Sequence, residues 1–576
     1  MRRLWLHARK FWARWAWGCL MLLLTNACAM AVPQLFRFAV DGIQGGAPIS
    51  DLRAMALTLV LIAVGGAVFR TLSRIHILYA GRDVELSIRC AFYAHLTTLE
   101  PSFFQHHPTG DLMSRATNDL TQVRLMLGPG FLNGVNTVVA YASAIPLMLL
   151  ISPKLTLITF AVYPPAMFLM RRLGRKLYAS NRGQQESLGT LSNFIQENLG
   201  AAQLVRAFAV EAEQERRFAA LNSAYYDRNI DLAYVRSGMF RLSMSLASVG
   251  ILVSVFFGAR DVVAGHLSVG DVVAVVEYMG LLSWPTFAMG WVLSMWQRGV
   301  ASMGRIEDVM AVAPKVVSGR DATRALAPSL SVRELTVRHD TKLGLDGVTF
   351  SVPAGGTLGI VGPIGSGKST LLRALLRLVE IEGGEVRVGE LSTTTLELTV
   401  LRGMFGYVPQ NPMLFSKTIA ENVAFGRPQS ARDSVSAALQ AAAFDSDLKI
   451  LPQGLDTPVG ERGVTLSGGQ KQRTAMARAL LLDPPILLLD DALSAVDTET
   501  EARILTHLRT LRRGRTTLIV AHRISAVQDA DAILVLDGGR IVEQGTHAAL
   551  IARGGIYAAM ARRQELAREA AVEAGT

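Results

Sequence analysis

The sequence predicts an all-α membrane domain of six helices followed by an α/β domain, and three observations predict it. Six long apolar stretches lie before Val300. Composition then changes near Ala311, after which apolar runs shorten and alternate with Gly, Pro and charge. Finally, a glycine-rich turn from Gly362 to Ser369 joins a strand-like apolar run to a helical one. A chain of 576 residues is also long for a single core.

The membrane reading rests on length and charge. A helix needs about 20 mostly apolar residues to cross the hydrocarbon layer. The qualifying stretches are Trp15 to Leu35, Met55 to Tyr79, Phe131 to Ile151, Leu155 to Met170, Phe240 to Ala259 and Val269 to Trp296. With 50% of its residues apolar, a soluble chain of this size would expose an aggregation-prone surface. Arg2, Arg3, Arg9, Lys10 and Arg14 precede the first stretch, and Arg171, Arg172, Arg175 and Lys176 follow the fourth. Under the positive-inside rule these are cytoplasmic flanks. Six crossings from a basic N-terminus return the chain to the cytoplasm, so both termini are expected on that side of an inner, plasma-type membrane.

The net charge of +11 does not point to nucleic acid, because no Lys/Arg stripe interleaved with aromatics occurs in the second half. Cys19, Cys28 and Cys90 form neither a disulfide framework nor a metal-binding spacing. The run Asn26-Ala27-Cys28-Ala29 imitates a signal-cleavage site, but the apolar stretch continues to Leu35, so the segment is read as a retained helix. Inside the sixth stretch stands Glu277, a carboxylate costing about 2–3 kcal/mol on insertion scales; it is expected to face the bundle interior. Met244, Met279, Met289 and Met295 could adapt to varied apolar ligands, or simply pack.

The second half begins with Leu358 to Gly362, a buried parallel strand by its composition, followed by Gly362-Pro363-Ile364-Gly365-Ser366-Gly367-Lys368-Ser369-Thr370. This is a Walker A pattern in the strand-to-helix context that it requires. Its backbone N–H groups would close around ATP phosphates, Lys368 would reach the β and γ phosphates, and Ser369 would ligate magnesium. Ile486 to Asp490 reads as an apolar strand ending in a magnesium-binding carboxylate. Leu466-Ser467-Gly468-Gly469-Gln470 opens another helix and supplies a second anion site. One nucleotide then has two cradles on one chain.

With this signature loop intact, the chain resembles an ATP-binding-cassette (ABC) exporter half-transporter, and its fold class becomes an all-α six-helix transmembrane domain plus an α/β P-loop NTPase. The resemblance implies that two cassettes sandwich ATP, each held by the Walker motifs of one and the signature loop of the other. It implies Mg2+-sensing by Gln410, a cross-talk loop at Val459 to Gly463, a D-loop at Ser494 to Asp497 and a switch histidine at His522. It also implies coupling helices, placed at Asp111 to Arg115 and at Leu204 to Glu213. The expected layout is a transmembrane domain at 1–310, a linker at 311–329 and a cassette at 330–576.

Two departures stand out. Asp491 occupies the position where the family carries a water-polarising glutamate, and one methylene less displaces the carboxylate enough to cost on the order of 10²-fold. The adenine-stacking aromatic is expected near Val337 and is missing there, with Arg338 or His339 as substitutes. Both departures weaken this chain's own Walker side and leave Ser467 to Gln470 intact, so the partner is expected to be a different half-transporter that hydrolyses most of the ATP. The resemblance implies a hydrophobic or amphipathic substrate, drug or lipid, moved within or across the lipid bilayer. A homodimer and an importer-type use of the same fold remain alternatives.

Overall fold

The computed structural model describes residues 2–574 other than 324–325, 340–341, 461–462, 464, 493–502, 505 and 507–513. The chain divides into two compact units, one made of Met1–Thr97 with Thr109–Val312 and the other of Thr98–Pro108 with Ala313–Thr576.

The first unit is helical. A short N-terminal helix α1 (Arg2–Ala8) leads into α2 (Trp12–Gln44) and α3 (Ile49–Leu96), which run antiparallel. Gly18 and Gly66 let them approach: a Cβ on Gly18 would lie 3.3 Å from the Ile77 backbone nitrogen, and one on Gly66 would lie 3.3 Å from the Cys28 Cβ. Small residues at such crossings are the usual means of close packing between helices in lipid. Among the described residues, four helices are long and apolar enough to cross a membrane: Arg2–Gln44, Ile49–Leu96, Thr109–Ile151 and Val269–Ala311.

The fourth predicted stretch, Leu155 to Met170, is divided between the helices Pro153–Phe160 and Tyr163–Gly200. Pro164 and Pro165 sit at the start of the second helix, where missing N–H donors are tolerated, and they would interrupt a continuous one. The fifth lies within the long helix Glu211–Val263.

Of the two short elements expected, the first does not stand apart and the second overlaps its expected place. Asp111 to Arg115 belongs to the long helix Thr109–Ile151, where Arg115 pairs with Asp111 one turn away at 2.8 Å and donates to the Arg305 carbonyl at 2.8 Å. The separate short helix is Pro101–His106, part of the second unit. Pro101 opens it and Pro108 follows it. Within that unit Glu100 is buried and its carboxylate accepts from the Lys315 backbone N–H at 3.4 Å. The second expected element is the helix Ala202–Ala207, ended by Ala209 in the left-handed region (φ 51°).

The sixth stretch forms α4 (Val269–Ala311), started by a reciprocal cap in which Ser268 Oγ accepts from Asp271 N–H at 3.0 Å and Asp271 accepts from Ser268 N–H at 2.9 Å. Asp41 binds the same terminus through Gly270 N–H and Ser268 Oγ, each at 2.9 Å, and Arg37 pairs with Asp271 at 2.7 Å. The core of this unit gathers Met30, Ala144, Met148, Tyr278, Met279 and Leu282. Glu277 does not turn into it. Glu277 is exposed while Tyr278 and Met279 beside it are buried, because each residue rotates the helix by about 100°. Of the four methionines, Met279 and Met295 are buried and Met289 is exposed, so packing accounts for two of them; the Met244 side chain lies outside the described residues.

The second unit holds two sheets. β1 (Leu330–His339) lies between β2 (Lys342–Val352) and β4 (Gly383–Val388) in a four-stranded antiparallel sheet that β5 (Leu391–Ser392) completes. The six-stranded sheet runs β10-β9-β3-β8-β7-β6, where β3 is Thr357–Val361, β6 Phe405–Val408, β7 Ile486–Asp490, β8 Thr516–Val520, β9 Ala532–Asp537 and β10 Arg540–Gly545. Its strands are parallel except for β10. Every residue of β7 and β8 is buried, as expected of parallel strands covered on both faces.

Candidate functional site

The site lies at the carboxyl ends of β3 and β7, where open α/β sheets bind their ligands. After β3 the chain turns through Gly362, Gly365 and Gly367, with φ of 150°, 81° and 99°. Two of these positions have no room for a side chain: a Cβ on Gly362 would strike the Leu536 carbonyl oxygen, and one on Gly367 would strike that of Gly344. The glycines therefore set both the turn and its close approach to neighbouring backbone. The loop delivers Lys368 as the first residue of α5 (Lys368–Leu375), with Ser369 and Thr370 next in its first turn.

Lys368 is buried and folds back over its own loop, donating to the carbonyls of Gly362 at 2.9 Å and Pro363 at 2.7 Å and to Ser366 Oγ at 3.3 Å. Burial pushes its ammonium pKa down, and the charges of Asp491 and Asp490 pull it back up. Ile364, by contrast, is almost wholly exposed at the tip of the loop.

From the other strand, Asp490 Oδ1 accepts from Ser369 Oγ at 2.9 Å and Oδ2 from the Tyr407 hydroxyl at 3.4 Å. Burial raises the Asp490 carboxyl pKa, against the hydrogen bond from Ser369. Burial and the Asp490 charge push Tyr407 up to about 12, so the phenol stays protonated and donates. Tyr407 is a contributor that the sequence does not single out. Its own role comes from β6 lying beside β7, with Tyr407 opposite Leu488.

Asp491 takes a left-handed backbone conformation, φ 48°, held by its N–H to Val520 O at 2.8 Å and by Gln472 Nε2 on its carbonyl at 3.3 Å. Its carboxylate accepts from Gln410 Nε2 at 3.4 Å and from the His522 backbone N–H at 3.4 Å. Gln410, Asp491 and His522 thus converge, with His522 taking part through its main chain. Gln472 is a contributor that sequence reasoning missed, since nothing but the packing of its helix beneath Asp491 selects it.

The signature segment is built as a capped helix start. Ser467 Oγ accepts from Gln470 N–H at 3.3 Å, and Gln470 Oε1 accepts from Ser467 N–H at 2.9 Å, opening α6 (Gly468–Leu481). Gln470 also donates to Asp447 at 2.9 Å, and Arg473 pairs with that carboxylate at 2.7 Å. Ser467 and Gly468 are exposed, with Gly469 partly so. The helix therefore offers an accessible N-terminus with its positive dipole end.

Val337 does not lie where adenine stacking would need it. It is fully buried in the core beside Leu335, Leu345 and Val348, because β1 alternates inward and outward and Val337 falls on the inward face. It cannot be the adenine-stacking position whatever residue it carried. Arg338 is exposed; the His339 side chain lies outside the described residues, as do Ser494 to Asp497 and, in the cross-talk segment, Glu461 and Arg462.

ATP and magnesium fit what is present. Gly362 to Thr370 offer a glycine-shaped turn, a buried ammonium and a helix N-terminus, and Ser369 with Asp490 offers two adjacent hard oxygens. One carboxylate beside one hydroxyl suits magnesium held together with substrate phosphates.

Residues 15–286 match the ABC transporter transmembrane region, and residues 345–494 match the ABC transporter family. The chain is 35% identical, over 97% of its length and 96% of the relative's, to a probable multidrug resistance ABC transporter ATP-binding/permease protein, YheI, of Bacillus subtilis. It is 34% identical over 98% of its length, and 96% of the other chain, to the multidrug resistance-like ATP-binding protein MdlA of Escherichia coli. A solved bacterial Atm1-family ABC exporter with ATP bound superposes with a TM-score of 0.78 at 31% identity, covering 96% of this chain and 98% of that one. A helical transmembrane region and an ATPase domain joined on one polypeptide, each matched in its own right, make this chain a half-transporter of the ABC transporter family.

Proposed function

We propose that the chain is one half of a dimeric exporter that uses ATP to move a hydrophobic or amphipathic substrate, drug or lipid, across or between the leaflets of a bacterial inner membrane. The transmembrane domain is 1–310 with six spans, 311–329 is a linker and 330–576 the cassette, with both termini cytoplasmic. The observation that carries the reading is the division of labour within the cassette. Lys368, Ser369, Asp490 and Asp491 gather at one place, while Ser467 to Gln470 form an exposed helix start whose bonds run to their own helix and to Asp447. A second chain that presents its own signature segment to the first site completes it, and receives Ser467 in return.

In this reading Lys368 and the loop amides hold the phosphates, while Ser369, Asp490 and Gln410 would hold magnesium, which would supply charge neutralisation to the phosphates. Asp491 orients the attacking water with Gln410 and His522 around it. The shorter carboxylate makes hydrolysis at this site slow, and the partner is accordingly a different half-transporter. With Val337 removed from the argument, the unequal pair rests on Asp491 alone. The homodimer is the second reading, favoured by the two donors that already hold the Asp491 carboxylate in place. Isolation of the chain from its native membrane tests the pair: a second cassette protein in stoichiometric amount supports it, and a pure homodimer with full ATPase activity overturns it.

A further inference from the structure

His522 is held at both ends of its backbone. Its N–H donates to the Asp491 carboxylate at 3.4 Å, and its carbonyl accepts from Gln564 Nε2 at 2.6 Å. Oε1 of the same Gln564 amide accepts from the Ile524 N–H at 2.9 Å. Between these two points Arg523 is extended, with φ −93° and ψ 127°. One side-chain amide thus bonds the carbonyl of one residue and the N–H of the residue two further on, as a neighbouring strand residue does in a parallel ladder. The Ile524 N–H needs such a partner: Ile524 opens the short helical turn Ile524–Ala526, and the first N–H groups of a helical turn have no acceptor within it.

Gln564 lies on the helix α7 (Ile556–Ala574), which is anchored well before it reaches the loop. Glu543, buried on β10, accepts from the Ile556 and Tyr557 N–H groups at 2.6 and 3.1 Å. Tyr557 is fully buried, and its hydroxyl bonds His547 Nδ1 at 2.7 Å. Met560 and Ala561 pack on the same core, to which Ile524 and Val527, just beyond His522, also belong. Tyr557, Met560, Ala561 and Gln564 follow the spacing i, i+3, i+4, i+7 and so share one face of the helix. The first three pack in the core, whereas the fourth turns an amide to the loop backbone. An apolar side chain at 564 would serve packing as well, but it would offer the loop neither the donor nor the acceptor.

We propose that Gln564 is a positioning residue for ATP hydrolysis: by holding the backbone on either side of Arg523, it sets where the His522 imidazole stands relative to Asp491. This rests on the reading of Asp491 and His522 as hydrolytic groups of this chain's own site. A displacement of about 1 Å in such a group costs on the order of 10²-fold, so a loop held by one amide is sensitive to its loss. The test is made on the full-length protein with its co-purifying partner, in the Asp491→Glu background, where this chain's own site is expected to turn over fastest. Gln564→Met keeps the length and apolar stem of the side chain and loses both hydrogen bonds. It is expected to lower about tenfold the part of ATP turnover that His522→Ala abolishes, with the half-saturating ATP concentration unchanged within about twofold. In a protein that also carries His522→Ala, the same change is expected to cost less than about twofold, because residues that act through one another are not additive. Undiminished turnover in Gln564→Met would overturn the proposal. So would a loss of the same size that persists without the imidazole, or a loss of ATP binding alongside turnover, either of which marks a role in packing alone. Turnover indifferent to His522→Ala would overturn the hydrolytic reading of this site, and the proposal with it.

Discussion

Ser369 Oγ donates to Asp490 Oδ1 at 2.9 Å, linking the first turn after β3 to the end of β7 across the intervening strand β8. More than a hundred residues of chain separate the two oxygens, and the order of strands in the sheet brings them into contact. This pair is also where function and stability oppose each other, because a buried carboxylate is retained where an amide would pack as well.

Asp490→Asn is expected to abolish ATP hydrolysis and to stabilise the nucleotide-free protein. Burial raises the Asp490 carboxyl pKa above its unfolded value, so the contribution of this group to stability is present at acidic pH and is lost as pH rises through the folded pKa. At neutral pH the asparagine variant should unfold at a higher temperature, by roughly 2–4 °C for about 1 kcal/mol. Below the carboxylate range the two proteins should unfold together. Thermal unfolding at both pH values checks the sign.

Asp491→Glu is expected to raise ATP turnover on the order of tenfold or more, by restoring the reach of the carboxylate toward the attacking water. The gain should be larger in an assembly of this chain alone than in the native complex. Equal large gains in both, by steady-state ATPase assay, would argue against an unequal pair.

At Ser467 the helix cap and the phosphate contact can be separated. Ser467→Ala loses the cap and should cost about 1 kcal/mol. Ser467→Asp keeps an oxygen acceptor for Gln470 N–H, and stability with it, yet places a negative charge where the partner's ATP phosphates would sit. Hydrolysis should fall in both variants and the unfolding temperature only in the first; full activity in Ser467→Asp would sink the proposed contact.

Gly270→Ala should loosen the junction between α2 and α4. The added Cβ would strike the Arg37 carbonyl oxygen and lie 2.6 Å from Asp41 Oδ1, displacing the groups that cap the sixth stretch. Overpacking of this kind costs about 1–3 kcal/mol, to be read as a lower unfolding temperature in detergent with ATP binding retained.

What was legible in advance follows from how local each feature is. The turn from Gly362 to Lys368 is readable because positive φ, a following helix and a preceding apolar strand all lie within a few residues of one another. The strand Ile486–Asp490 is readable because continuous apolar sequence accompanies burial on both faces. The inward orientation of Val337 is not legible because a motif spacing carries no record of which way a strand alternates. The short helix Pro101–His106 is less legible than Asp111 to Arg115 because its side chains carry no charge pattern and only the prolines at 101 and 108 mark its ends.

By itself the sequence determined the membrane-plus-cassette architecture and the phosphate loop, since these depend on periodicity, composition and short-range backbone geometry, while its resemblance to ABC exporters implied a second cassette. Tertiary structure alone decided that Tyr407 shares a carboxylate with Ser369, that Gln472 and the His522 main chain hold Asp491, that Val337 belongs to the core, and that Glu277 stands on the open face of its helix. Each of these depends on which strand neighbours which, or on how a helix is rotated against its partners, and such relations arise from packing between residues far apart in the chain.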